Sequence, residues 1–280
     1  MNVLLVGVGL IGGSFSLALK HRTDLTFGGY DNREEAQNEA FDLGIISQRF
    51  NLLSEGIKWA DLIVVSVPVK AIRGILPEIL DQIEPNQTIV DFGSTKAAIC
   101  ASVADHENRK QFIAGHPIAG TEHSGPSAAF EGLFRDKNLI LCDTRLTEPG
   151  KLKDFEALAT DAGFNIIHMD SKEHDRHLAY ISHLSHITSF ALSSAVLQKE
   201  KDGEVILDLA GSGFASTVRL AKSSPGMWSS IFMENKEMVL RSIEAYKKEL
   251  EKLEALIIEN QDEALEKYLE DGRKIRRILP

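Results

Sequence analysis

The sequence predicts an α/β protein: a mainly parallel sheet over residues 1–170, followed by an all-helical domain over residues 171–280. Three observations carry that reading. Short β-rich runs alternate with helix-length segments through the first part, which is the pattern of βαβ units. Past Ser171 no strand-like alternation returns, and apolar residues recur at helical spacing instead. The composition, 43% hydrophobic and 26% charged over 280 residues, is that of a globular chain with core enough for two domains.

The strands read in order as "NVLLVG", "LTFGGYD", "DLIVVSVP", "TIVDFG", "QFIAGHP", "NLILCD" and "NIIHM". The second part offers two long helical patterns, "SKEHDRHLAYISHLSHITSFALSSAVLQKE" and "MVLRSIEAYKKELEKLEALIIENQDEALEKYLE". In the latter, Leu250, Leu253, Leu256 and Ile257 form one apolar stripe. Such a stripe serves either the helix's own core or a seam with a second copy.

A formal net charge of −10 disfavours nucleic acid and anionic membranes as partners, since both are held by a surplus of Lys and Arg. No apolar run is long enough to span a bilayer, and no basic leader precedes the first strand, so a cytoplasmic protein is expected. Cys100 and Cys142 lack metal-site spacing and read as buried thiols.

The first strand runs straight into Gly7-x-Gly9-x-x-Gly12, with Leu10 and Ile11 inside the motif. A helical pattern follows, then a second strand closed by Asp31 about 20 residues further on, the full context of a dinucleotide fingerprint. The first domain is therefore expected to be Rossmann-type. Gly7 permits the turn, Gly9 admits a pyrophosphate, and Gly12 lets helix and strand pack closely. Unpaired N–H groups at the helix start receive the phosphates. Asp31 suits the ribose hydroxyls and would repel a 2′-phosphate, so NAD is favoured over NADP, with Arg33 close enough to soften the preference. Ser66 and Pro68, ending a later strand, fall on the same cofactor edge.

Substrate chemistry belongs to the other strand ends at that edge. "TIVDFGSTK" delivers Ser94 and Lys96, and "QFIAGHPIAGTEHSG" delivers His116, then Thr121, Glu122 and Ser124. A histidine beside a nicotinamide site, with a serine on the adjacent strand, is a candidate acid/base. The helical domain adds His174/His177 and His183/His186. On a straight helix these pairs point about 180° apart, so no metal is expected; one pair would face the cleft and the other solvent or a helix cap. Arg219, after a "GSGF" turn, reads either as a surface ion pair or as a clamp for a substrate carboxylate.

"GVGLIGGS", "DFGSTK", "GHPIAGTEHSG", "ISHLSHI", "GSGF" and "RLAKSSPGMW" resemble, in order and over essentially the whole chain, the prephenate/arogenate dehydrogenases of tyrosine biosynthesis, in their monofunctional form. The resemblance implies NAD-dependent oxidative decarboxylation of prephenate. It implies that His116 accepts the C4 hydroxyl proton and that Ser94 orients His116. It implies that Arg219 holds the ring carboxylate, that His186, Thr121 and Ser223 line the side-chain end, and that His183 supports the pocket. Family members are homodimers through the helical domain, which implies that Trp228 reaches the partner's site, and tyrosine is a candidate feedback inhibitor. Ser216 and Val218 stand where many members carry an acid and a threonine, which puts the arginine's supporting ion pair in question. Arogenate, with an amine in place of the keto group, is the alternative substrate. Rival readings are a 3-hydroxyacid dehydrogenase using Lys222 and a non-catalytic NAD-binding sensor.

Overall fold

A computed structural model describes residues 1–201 and 206–278. One sheet of eight strands organises the chain, in the order β3-β2-β1-β4-β5-β6-β7-β8. The strands are β1 (Asn2–Val6), β2 (Thr26–Tyr30), β3 (Gln48–Arg49), β4 (Leu62–Val65), β5 (Thr88–Asp91), β6 (Phe112–Pro117), β7 (Lys137–Cys142) and β8 (Phe164–Met169). Every pairing is parallel except β6 with β7. The first six strands follow the Rossmann order, whose switch point lies between β1 and β4. The one strand absent from the sequence reading is β3, too short at two residues to show an alternation.

The apolar runs are continuous because both sheet faces are covered. Val3 and Leu5 point into one core with Phe15, Phe92 and Phe134. Leu4 and Val6 point into the other, with Ile72, Leu76 and Ile99. The helices covering these faces are α1 (Leu10–Ala18), α2 (Glu34–Asp42), α3 (Leu53–Trp59), α4 (Val69–Leu80), α5 (Ala97–Ser102) and α6 (Pro149–Asp161). In α4, Val69, Ile72, Leu76, Ile79 and Leu80 share the buried face, the helical spacing that its sequence shows.

Past β8 the chain is helical: α7 (Ser171–Leu178), α8 (Leu184–Lys201), α9 (Ser212–Thr217), α10 (Pro225–Glu234), α11 (Lys236–Ile258) and α12 (Asp262–Arg273). The "GSGF" segment, expected as a turn, opens α9. Between α7 and α8, Ala179–His183 forms a π-helical turn. The chain forms two compact units, Met1–Asn235 and Lys236–Pro280, so the first extends beyond the boundary at 170 that the composition suggests. Leu178 of α7 and Trp228 and Ile231 of α10 explain this, because they complete the core that lies over α4 and α5. Among the described residues no helix is long and apolar enough to cross a membrane. Cys100 and Cys142 are buried free thiols, and burial pushes the Cys100 thiol up to about 12.

Candidate active site

The cofactor end is made of backbone. Gly7 sits at φ +91, where a side chain is strained, and a Cβ there would meet the Ser66 carbonyl at 2.8 Å. A Cβ on Gly12 would lie 2.4 Å from the Gly7 carbonyl oxygen and from Ser66 Oγ. A Cβ on Gly9 would meet nothing within 4 Å, so the space in front of the loop is open. Helix α1 begins there with no side-chain cap, in contrast to α7, whose first N–H groups bond the Asp170 carboxylate. Open space against uncapped N–H groups fits a pyrophosphate.

Asp31 stands at the end of β2 with its carboxylate turned to the loop; Oδ2 accepts from Val8 N–H at 3.3 Å and Oδ1 from Arg33 N–H at 3.1 Å. The exposed Arg33 guanidinium lies 3.5 Å from the same carboxylate. Leu10 and Ile11 are half-buried in the first turn of α1. Ser66 is turned inward, where its hydroxyl donates to the Gly7 carbonyl at 2.8 Å and locks the turn. Pro68 is exposed and starts α4.

The substrate end is made of side chains. His116, in β6, is buried, and its Nδ1 lies 2.8 Å from Nε2 of His174. His174 Nδ1 in turn lies 2.8 Å from Oδ1 of Asp175. Asp175 also accepts from the backbone N–H groups of Lys96 at 2.7 Å and Ala97 at 2.9 Å, which ties α7 to the start of α5. Below them the fully buried Lys96 ammonium bonds the Asp91 carboxylate and donates to the Gly115 carbonyl at 2.7 Å, fixing the strand next to His116. The imidazole of His116 is held well below the usual histidine range by burial first, then by His174, Lys96 and His183. It is neutral at physiological pH.

Ser94 is half-buried at the end of β5, and its hydroxyl makes no hydrogen bond to a described residue. The residue that touches His116 is therefore His174 rather than Ser94, as Asp175 pulls α7 under the strand ends. Sequence reasoning missed this role. The adjacent pair His174-Asp175 was visible, but its partners lie 58 and 79 residues away.

The two His-x-x-His pairs do not divide as a straight helix would have them. His174 and His183 are buried, His177 is exposed and His186 is half-buried. The π turn lies between the pairs, and its wider i→i+5 winding resets the face, so that His174 and His183 both turn inward. Burial lowers His183 to about 4, and its ring contacts Trp228, Phe232 and the Asn235 amide, the last at 3.3 Å. His186 stacks on Trp228 with ring centroids 3.4 Å apart, and its Nδ1–H donates to the Ser182 carbonyl at 3.0 Å. Its pKa is lowered by burial first and also by the charge of Arg219. Trp228, expected to reach a partner copy, is buried in its own chain because His186, His183 and Phe232 enclose its ring. Among the described residues no cluster of three or more His, Cys, Asp or Glu is placed to hold a metal.

Arg219 and Lys222 are exposed, and Ser223 is half-buried. Among the described residues no carboxylate is paired with Arg219, and Ser216 donates to Gly213 instead. Glu122, exposed on the loop after β6, has its pKa lowered first by a hydrogen bond to its own backbone and then by the charges of His123, Arg219 and Lys222. Thr121 is exposed on the same loop, lining an open groove of about 520 Å³ with His123, Ser124 and Phe130.

Comparison with known proteins matches this arrangement. The family model of the prephenate dehydrogenase nucleotide-binding domain matches residues 15–168, and that of the prephenate dehydrogenase dimerization domain matches residues 170–271. The chain is 32% identical to the prephenate dehydrogenase of Bacillus subtilis, over 100% of this chain and 76% of that one. A crystal structure of A. aeolicus prephenate dehydrogenase with hydroxyphenyl propionate and NAD+ superposes with a TM-score of 0.93 at 33% identity, covering 100% of this chain and 98% of that one. Synechocystis arogenate dehydrogenase superposes at 0.83 and 28% identity, with both chains covered in full at 100%. The chain belongs to the prephenate dehydrogenase family.

Proposed function

We propose that this protein is an NAD-dependent dehydrogenase that oxidatively decarboxylates prephenate to 4-hydroxyphenylpyruvate, a step toward tyrosine. The observation that carries the reading is the buried, neutral His116 at the carboxyl edge of the sheet, a few strands from the open glycine loop. NAD, held by Gly7, Gly9, Leu10, Ile11, Gly12 and Asp31, supplies the hydride acceptor when bound.

His116 accepts the proton of the C4 hydroxyl as hydride leaves C4, which a neutral imidazole does and an imidazolium does not. Loss of the ring carboxylate as CO₂ returns an electron pair through the ring to the oxygen, and the borrowed proton goes back to give the phenol. Ser94, three residues past the end of the adjacent strand β5, is assigned to bond the same hydroxyl. Arg219, unpaired with any described carboxylate, holds the ring carboxylate. His186, whose Nδ1–H is committed to Ser182, presents Nε2 to the side-chain end together with Thr121 and Ser223; His183 and Trp228 pack behind it.

The cofactor is held before residue 170, whereas the substrate is met from both sides of it, by His116, Ser94 and Thr121 before and by His186, Arg219 and Ser223 after. The α11 stripe of Leu250, Leu253, Leu256 and Ile257, with Leu250 and Ile257 exposed, supports a homodimer in which a second copy covers it. We place the enzyme in the cytoplasm. The test is NADH formation from NAD with prephenate and, separately, with arogenate, repeated with added tyrosine. NADH with prephenate is expected. No NADH with either substrate ends the proposal.

A further inference from the structure

We propose that His174 and Asp175 are positioning residues for His116, a hydrogen-bonded line that fixes which imidazole nitrogen meets the substrate and steadies the charge that arrives there. The inference rests on the proposed proton-accepting role of His116. It follows from donor and acceptor logic along a chain with few choices.

The Asp175 carboxylate accepts two backbone N–H groups, from Lys96 at 2.7 Å and Ala97 at 2.9 Å, and has no proton to give. The 2.8 Å contact from Oδ1 to His174 therefore requires the hydrogen on His174 Nδ1. Burial lowers His174 and outweighs the opposing pull of Asp175, so the ring is neutral and its Nε2 is an acceptor. The 2.8 Å contact from His174 Nε2 to His116 then requires the hydrogen on His116 Nδ1. His116 Nε2 is left bare, the nitrogen that a proton acceptor needs. Proton positions thus follow from the network, with one carboxylate setting two tautomers in series.

The second task begins when the proton moves. The substrate O–H bond breaks, its proton joins His116 Nε2, and the ring becomes an imidazolium. The groups facing it are Lys96, whose ammonium is paired with Asp91, the neutral His183, and His174. Of these only His174 links the new cation to an anion not already paired with a cation, through Nδ1–H to Asp175. When the proton returns to the phenol oxygen, the line is restored with no net proton gained or lost.

Each link is testable in the full-length protein. Imidazole ¹⁵N shifts, with His116 assigned by comparison with H116N, are expected to show a protonated Nδ1 and a bare Nε2 at neutral pH. A proton on Nε2 in the wild type overturns the proposal without any variant having to fold. D175N turns the terminal acceptor into a donor and is expected to move the hydrogen to His116 Nε2 and to lower kcat roughly 10²–10⁴-fold, as inversion of an acid–histidine pair does in serine proteases. H174F, which ends the line, is expected to lower kcat about 10²-fold with KM for prephenate and NAD within about threefold. H174Q, which keeps the acceptor toward His116 and the donor toward Asp175, is expected to recover most of that loss. Because Asp175 also caps backbone at α5, circular dichroism of D175N is measured alongside; if D175N unfolds, the ¹⁵N result and the H174F/H174Q pair decide. If H116N is inactive while H174F and D175N keep wild-type kcat, this proposal fails and the proton-acceptor reading stands. If H116N is fully active, that reading fails first.

Discussion

The turn between β1 and α1 and the histidine segment through α7 and the π turn build two halves of one site by opposite means. The turn is made of backbone: a glycine at φ +91, a second too close to its neighbours for a Cβ, and uncapped N–H groups. Its glycines are neighbours in sequence, so spacing alone points to it, although the Ser66 hydroxyl that locks the turn comes from 59 residues away. The histidine segment is made of side chains held by distant partners, with His116 and His174 58 residues apart and Asn235 donating to the Asp175 carbonyl 60 residues away. Local sequence specifies a backbone site, whereas a side-chain site waits for the tertiary fold.

That difference predicts how each half breaks. The largest effect belongs to the side-chain half: H116N is expected to lower kcat roughly 10²–10⁴-fold, with NAD affinity unchanged by fluorescence titration. A matching loss of NAD affinity would show that the two halves are not separable. Next, R219A is expected to weaken prephenate binding by about 2–5 kcal/mol, read as a rise in KM, because a desolvated carboxylate loses its cation. A change below about threefold would return Arg219 to a surface role.

The buried histidines also couple this half to pH. His183 titrates at about 4 in the fold, against an ordinary value near 6.5 in the unfolded chain. The unfolded chain takes up a proton between those values and the native state does not. Stability is therefore fully present above about 6.5 and is lost as pH falls toward 4, by on the order of 3 kcal/mol for this residue. His116 and His174 act with the same sign. Denaturant midpoints at about pH 7.5 and about pH 4.5 measure the loss, and H183Q is expected to shrink it.

The smallest effect falls on the backbone half. G12A places a methyl 2.4 Å from the Gly7 carbonyl and from Ser66 Oγ. It is expected to cost about 1–3 kcal/mol, read as a lower Tm and weaker NAD binding. An unaltered Tm would mean that the turn yields more readily than its geometry implies.

The same contrast explains what was legible beforehand. Seven strands, the dinucleotide turn and the inward-facing Asp31 follow from apolar runs and glycine spacing. β3 escaped because two residues carry no period. The roles of His174 and Lys96 escaped because a histidine or lysine in a sequence looks the same whether it is solvated or fully buried against a carboxylate. The orientation of His183 and His186 escaped for another reason. A π turn changes the winding, and no residue in "AYISH" announces one.

The proton acceptor is a buried imidazole, uncharged throughout the physiological range. This is tested most directly by kcat/KM for prephenate, followed from about pH 8 down to about pH 5.5. The rate is expected to hold level as pH passes through 6.5 and to fall only well below it. A rate that halves near 6.5, as an ordinary solvent-exposed histidine would dictate, contradicts it.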